Sequence, residues 1–246
     1  MSGGVDSSLV ASLAYSALGA DATAVTLSGP SVARREVERA KRVARSIGLE
    51  HLVLETDPLR REEYRANRDD RCYFCRVVET SVLVEFGATR SVVQYLDGLQ
   101  KDDLADDRPG IRAMDEAGFL HPLLWVGWGK AEVRAVARRR GLPNWDEPSD
   151  ACLASRVARG EPVTRELLEQ VESAEAVLHE LGFRRVRVRA RGGGARVEVD
   201  PSEVGRLRSE PVAGHVVREL TRLGFATVTL DPDGYRIALT GLPMVP

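Results

Sequence analysis

The sequence predicts an α/β protein: a parallel-sheet domain over residues 1–162, then a small α+β domain with an antiparallel sheet over residues 163–246. Three observations predict it. Short β-rich runs alternate with amphipathic helical stretches in the first part of the chain. A glycine-rich loop opens a helix at residue 2. After about Gly160 the alternation gives way to helix-plus-hairpin units.

The elements follow in order. Ser7–Leu18 carries apolar residues at helical spacing, with Gly19 placed to end the helix. Ala22–Leu27 is a short β-rich run. Arg34–Ile47 puts Val37, Ala40, Val43, Ala44 and Ile47 on one stripe, and Gly48 closes it. His51–Leu54 reads as a strand, Val77–Phe86 as part of a helix, and Ser91–Leu96 as a buried strand ending at Asp97-Gly98. A helix over Lys130–Arg140 ends at Gly141-Leu142-Pro143. Thr164 can cap a helix through Leu181, with Glu166 in its first turn. Strands Arg185–Ala190 and Arg196–Val199 flank three glycines; a helix over Val212–Leu223 and a second hairpin, Ala226–Leu230 with Tyr235–Leu239, complete the chain. The two helix–hairpin stretches share a Leu-Gly-Phe start, a weak internal repeat or a chance likeness.

Composition bounds the function. Apolar residues make up 43% of the 246 positions, enough to fill a core. The 35 Lys+Arg against 37 Asp+Glu, net −2, argue against a nucleic-acid partner held mainly through its backbone. No apolar run approaches the roughly 18 residues that span a bilayer, and the N-terminus lacks a signal-peptide pattern, so no membrane association is expected. Cysteines number three, an odd count unlike a secreted disulfide framework. The setting reads as a reducing cytoplasm, with the cysteines as metal ligands, redox groups or nucleophiles.

Ser2-Gly3-Gly4-Val5-Asp6-Ser7-Ser8 opens the first helix. Glycines let the backbone approach a ligand, and the N–H groups and dipole of a helix start favour an anion. The serines add donors. The loop is a phosphate or pyrophosphate cradle without the Gly-Lys-Ser/Thr end of a Walker A loop. SGGxDS resembles the PP-loop of the N-type ATP pyrophosphatases, which cleave ATP between the α- and β-phosphates. Such a loop follows a strand, so an upstream apolar strand, missing before Met1, is expected.

Cys72 and Cys75 form a CxxC between Arg71 and Arg76, which are expected to lower the thiol pKa values. Cys152 lies in the loop Pro148–Arg156. These residues suit a structural zinc if His51, His121, His179 or His215 joins, a dithiol pair that leaves Cys152 unused, or a three-thiolate [4Fe-4S] cluster with one open iron. Three unrelated buried cysteines are the plain alternative.

The chain as a whole resembles the LarE-type sulfur transferases of nickel-pincer cofactor biosynthesis for lactate racemase. The residues that carry the likeness are SGGVDSS, RCYFCR, Asp97-Gly98 with Asp102-Asp103-Leu104, Arg108–Ala113, His121-Pro122-Leu123, Gly141-Leu142-Pro143, Trp145-Asp146, ACLASR and the VRVRA…ARVEV hairpin. The three cysteines place it with the subtype that resembles holders of a [4Fe-4S] cluster carrying hydrosulfide. The resemblance implies adenylation of pyridinium-3,5-biscarboxylic acid mononucleotide by ATP and conversion to the thiocarboxylate, twice over.

It implies a cofactor set of ATP, Mg2+ and the cluster on Cys72, Cys75 and Cys152. Ser2, Gly3, Gly4, Ser7 and Ser8 would hold the departing pyrophosphate, and Asp6 and Asp102 are candidates for Mg2+ or ribose contacts. Arg185, Arg187, Arg189 and Arg191 alternate along one strand and share a face. Among them Arg187 and Arg189, with Ser155, Arg156 and Glu175, match family positions for the substrate phosphate. Leu99-Gln100 depart from the family's usual Thr/Ser-Asn and put a nucleotide contact there in doubt. Partners implied are the pyridinium mononucleotide, a sulfide source and a homo-oligomeric neighbour. A cluster-bearing tRNA-thiolating PP-loop enzyme is the alternative within enzymes; a non-catalytic iron–sulfur or zinc module is the alternative outside them.

Overall fold

Apolar residues spaced three to five apart set the first helix. In the computed structural model, which describes residues 1–105 and 109–236, α1 spans Val5–Leu18 and ends at Gly19. It buries Val5, Leu9 and Val10 against Leu123, Val133, Ala137 and Leu142. β1 (Thr23–Ser28) follows, then α2 (Arg34–Ile47), whose Val37, Ala40, Val43 and Ala44 are buried. β2 (Glu50–Glu55) pairs parallel with β1, Thr23 opposite Glu50. The main chain of Met1 lies along β1: its amino group donates to the Val25 carbonyl and its own carbonyl accepts from Thr26 Oγ1.

Next come α3 (Glu62–Arg65), α4 (Arg71–Thr89), β3 (Tyr95–Leu96), α5 (Pro109–Glu116), β4 (Phe119–Leu120), α6 (Pro122–Trp125) and α7 (Lys130–Arg139). β3 and β4 pair parallel. The parallel α/β class is therefore as the alternation predicts. Two elements differ from expectation. α4 begins at Arg71 rather than within the stretch 77–86, so the CxxC lies in its first turns. The expected strand 91–96 shrinks to Tyr95–Leu96, because Ser91 takes a left-handed φ of 55° and Val93 stands 95% exposed.

The chain divides into two compact units, Met1–Cys152 and Leu153–Pro246. Residues 153–158 pack with the second unit: Val157 bridges Ala190, and Ala158 N donates to Ala190 O at 3.0 Å. In that unit α8 (Arg165–Glu180) starts at Thr164, whose Oγ1 accepts from Leu167 N at 3.2 Å. β5 (Val186–Arg191) and β6 (Gly194–Val199) form the expected hairpin. After α9 (Val204–Leu207) and α10 (Val212–Arg222), β7 (Thr227–Leu230) joins β6 parallel rather than as part of a second hairpin, so the sheet is mixed. Tyr235 N donates to Val199 O at 2.7 Å, and no strand is formed there among the described residues. Positions 237–239 of the expected last strand lie outside them, as does Arg108. Among the described residues no helix is long and apolar enough to cross a membrane.

Leu9 is fully buried in the α1–α7 core, whereas Leu18 at the end of the same helix is 55% exposed. Leu9→Ala is expected to cost about 2–5 kcal/mol and Leu18→Ala under about 0.5 kcal/mol, read from the midpoints of urea unfolding.

Candidate functional site

The N-terminus of α1 is shaped by close backbone approaches. Gly3 has φ +80°, and a Cβ there would stand 2.9 Å from both Glu36 O and Ala40 N of α2. Gly98 presses on the other side, where a Cβ would meet Ser7 N at 2.5 Å. Inside this seat the serines bind one another. Ser2 N donates to Ser7 Oγ at 3.1 Å, and Gly4 N donates to Ser2 Oγ at 3.3 Å. Ser7 Oγ donates to Gly4 O at 3.2 Å. Ser8 is fully buried, and its Oγ accepts from Asn144 Nδ2 at 2.9 Å; the same amide donates to Gly3 O at 2.7 Å. Ser2, Gly3, Gly4 and Ser7 thus form the rim of the cradle, with Ser8 turned inward beneath it.

Asp6 and Asp102 meet through one residue the sequence reading passed over, Lys130. Its Nζ lies 2.5 Å from Asp6 Oδ2, and its backbone N donates to Asp102 Oδ2 at 2.7 Å. The other Asp6 oxygen, Oδ1, is buried with no hydrogen-bond partner among the described residues. Lys130 is the first residue of α7, where the helix dipole disfavours a cation. A lysine at a helix start is the signal that could have pointed to a nearby carboxylate. Gln100, at the departure from the family pattern, is 2% exposed. Its Oε1 accepts from Asp102 N at 2.9 Å and its own N donates to Asp103 Oδ2 at 3.1 Å, so it shapes the turn that presents Asp102.

His121 sits beside the Gly98 loop. Its Nδ1 is 2.8 Å from Asp97 Oδ1 and its Nε2 is 2.8 Å from Asp115 Oδ1. Burial works against its charge, but the hydrogen bonds and charges of the two carboxylates outweigh it and raise the imidazole pKa above the ordinary 6.5.

Cys72 and Cys75, three residues apart, share a face in the first turns of α4. All three cysteines are half-buried thiols. Cys75 and Cys152 are near enough that their charges interact, and both act on the buried Tyr64 hydroxyl, which burial chiefly pushes up. The expectation that flanking arginines lower the thiol pKa values fails at Cys75. Burial, then the Glu79 carboxylate and Cys152, push its thiol far up, and Arg76 only partly opposes them. Arg76 is paired with Glu79 at 2.5 Å, and the buried Arg71 donates to Asn67 Oδ1 at 2.5 Å. The donor set suits an iron–sulfur cluster in kind, three thiols with two on one helical face. As the side chains stand, no three His, Cys, Asp or Glu among the described residues are gathered closely enough to hold a metal ion.

In the second unit the expected phosphate-site residues converge. Arg156 Nε donates to Glu175 Oε1 at 2.8 Å and its Nη2 to Oε2 at 3.2 Å, with each residue 2% exposed. Glu175 Oε1 also accepts from Val188 N at 3.0 Å, fastening α8 to β5. Arg156 Nη1 donates to Ser155 Oγ at 2.9 Å, and Arg189 Nη1 donates to Ser155 O at 3.2 Å. Arg189 also pairs with the buried Glu198 at 3.1 Å. Arg187 is 3% exposed and Arg189 half-buried, whereas Arg191 at the end of β5 is exposed, so the strand's arginine face is buried only in its first part. The Tyr235 ring, unforeseen from the sequence, stacks with Arg185 and Arg187, whose guanidinium carbons lie 5.4 and 5.2 Å from its centroid.

A glycine–serine cradle at a helix start beside a parallel sheet defines an α/β enzyme of the PP-loop, ATP-using class. The family model for NAD synthase matches residues 1–77. Pyridinium-3,5-bisthiocarboxylic acid mononucleotide synthase of Lactiplantibacillus plantarum is 34% identical over 236 residues, 96% of this chain and 85% of that protein. An uncharacterized protein of Synechocystis is 40% identical over 235 residues, 96% of this chain and 88% of its own length. Another uncharacterized protein, from Methanocaldococcus jannaschii, is 24% identical over 235 residues, 96% and 88% of the two chains. The chain belongs to the LarE family of sulfur transferases.

Two measurements test the site's electrostatics. Glu175→Gln removes the carboxylate charge that faces the buried Arg156 guanidinium and is expected to cost about 3–5 kcal/mol, read by denaturant unfolding. His121 is raised in the folded state, so its contribution to stability is full below 6.5 and lost as pH rises through the higher folded value. The difference in thermal midpoint between the native chain and His121→Gln should shrink from acidic to mildly alkaline pH.

Proposed function

We propose that this chain is the pyridinium-3,5-bisthiocarboxylic acid mononucleotide synthase of nickel-pincer cofactor biosynthesis for lactate racemase, acting in a reducing cytoplasm. The observation that carries this reading is the 34% identity to the Lactiplantibacillus plantarum synthase, spread over 96% of the chain. In each round a substrate carboxylate oxygen attacks the α-phosphorus of ATP, the bond to the β-phosphate oxygen breaks, and pyrophosphate leaves. A sulfide sulfur then attacks the acyl carbon, and AMP departs with the former carboxylate oxygen, leaving a thiocarboxylate. Two rounds convert pyridinium-3,5-biscarboxylic acid mononucleotide to the bisthiocarboxylic acid.

The roles follow from charge. The first domain, residues 1–162, handles ATP. Main-chain N–H groups of Gly3 and Gly4 and the hydroxyls of Ser2 and Ser7 hold the pyrophosphate at the start of α1, while the buried Ser8 hydroxyl, bonded to Asn144, braces the loop from beneath instead of touching the ligand as expected. Attack at phosphorus gathers negative charge, which Mg2+ held by Asp6 or Asp102 offsets. The second domain, residues 163–246, together with the 155–156 turn, takes the substrate phosphate through Ser155, Arg156, Arg187 and Arg189, with Glu175 holding Arg156 in place. Cys72, Cys75 and Cys152 are the residues that would hold a [4Fe-4S] cluster. A cluster held there would supply the sulfide for the second half of each round. Small anionic substrates and a net charge of −2 support a partner set of mononucleotide and sulfide source without nucleic acid.

The test is a cysteine series purified without oxygen. The native chain should hold about four irons, lost on changing Cys72, Cys75 or Cys152 to Ala, and should release AMP and pyrophosphate only when the pyridinium dicarboxylate is present. Zinc in place of iron, or a full iron complement in Cys152→Ala, would contradict the cluster assignment.

A further inference from the structure

The helix that seats the phosphate loop also grips the loop that ends in Cys152. Glu36 O and Ala40 N of α2 form the floor under Gly3. On the same helix Arg35 and Arg39, each the neighbour of a floor residue and one turn apart, reach the segment before Cys152. Arg35 Nη2 lies 2.6 Å from Asp150 Oδ2, and Arg39 lies 3.9 Å from the same oxygen and 3.8 Å from Glu147. Arg134 of α7 adds a bond from Nη2 to Glu147 O at 2.8 Å.

These charges are costly to place. The side chains of Asp150 and Arg39 are only 9% and 12% exposed, and an apolar contact would hold a loop at least as well. What an ion pair adds is a fixed direction and register. We propose that Asp150, held by Arg35 and Arg39, is a positioning residue. It sets where the Cys152 thiol stands relative to the phosphate loop, with α2 as the shared reference. The proposal rests on the function proposed above in one respect: it assigns the clamp to the sulfur-transfer half of the reaction and not to adenylation.

The experiment compares the native chain, Asp150→Asn, Asp150→Glu and the double variant Arg35→Gln/Arg39→Gln, in two assays. In the anoxic holoenzyme, Asp150→Asn and the double variant should keep the native rate of substrate-dependent pyrophosphate release. Their thiocarboxylate formation should fall at least about tenfold, since small misplacements of a reacting group cost that much or more. Asp150→Glu should recover most of it. In the second assay, iodoacetamide labelling of the chains stripped of iron is followed by mass spectrometry. Asp150→Asn should change the labelling rate of Cys152 severalfold and leave that of Cys75 as in the native chain. Equal loss of both half-reactions, unchanged thiocarboxylate formation, or an unchanged Cys152 labelling rate would overturn the clamp. A native chain that releases no pyrophosphate with the pyridinium dicarboxylate would overturn the functional reading instead, and the labelling comparison would then decide the clamp alone.

Discussion

The first unit is arranged around one constraint: the start of α1 lies so close to the backbone of α2 and of the Gly98 turn that no side-chain atom fits at the points of approach. Gly3 against α2 and Gly98 against Ser7 meet that constraint by having no Cβ. The rest of the unit supplies what holds such bare backbone still. Asn144 ties the Gly3 carbonyl to Ser8 from beneath, and Asp97 braces the Gly98 turn through Leu99 N and His121. Asp102 fastens the start of α7, and Lys130 at that start closes on Asp6. Each contact comes from a different stretch of chain, so the cradle is a product of the whole unit and not of its seven-residue motif.

The second unit solves a different problem, concentrating arginine in its interior. Arg156 and Arg187 are almost wholly buried, and burying a guanidinium is tolerable only with matched acceptors. Glu175 offers both carboxylate oxygens to Arg156 and still accepts from the β5 backbone. Glu198 is shared between Arg189 and Arg196. Tyr235 offers a ring face to Arg185 and Arg187. The result is a set of arginines whose guanidinium groups are each fixed by named partners within the unit.

Much of this was legible in the sequence where local periodicity decides structure. α2 spans the stretch expected from its stripe and its closing glycine, α8 begins at the expected Thr164 cap, and the β5–β6 hairpin follows its glycines. The misses arise where tertiary context decides. Ser91–Val93 has strand-forming residues but turns outward. Helical spacing is evident only around Val77–Phe86, yet α4 begins at Arg71 and takes the CxxC into its first turns. The arginines beside Cys75 suggest a lowered thiol pKa by proximity alone, whereas burial and Glu79 dominate. Lys130, Asn144 and Tyr235 act across more than a hundred residues, or through a ring face, and no local pattern encodes that.

The parallel placement of β7 has a bearing on how the second unit assembles. β5 and β6 are joined by a tight glycine turn, so their pairing closes a short loop. β7 meets β6 across a longer stretch of chain that contains α9 and α10, so this contact closes a larger loop. Tyr235, bonded to Val199 just beyond β7, comes in with that last strand. The arginine strand is thus held by a local pairing and its aromatic cover by a more distant one.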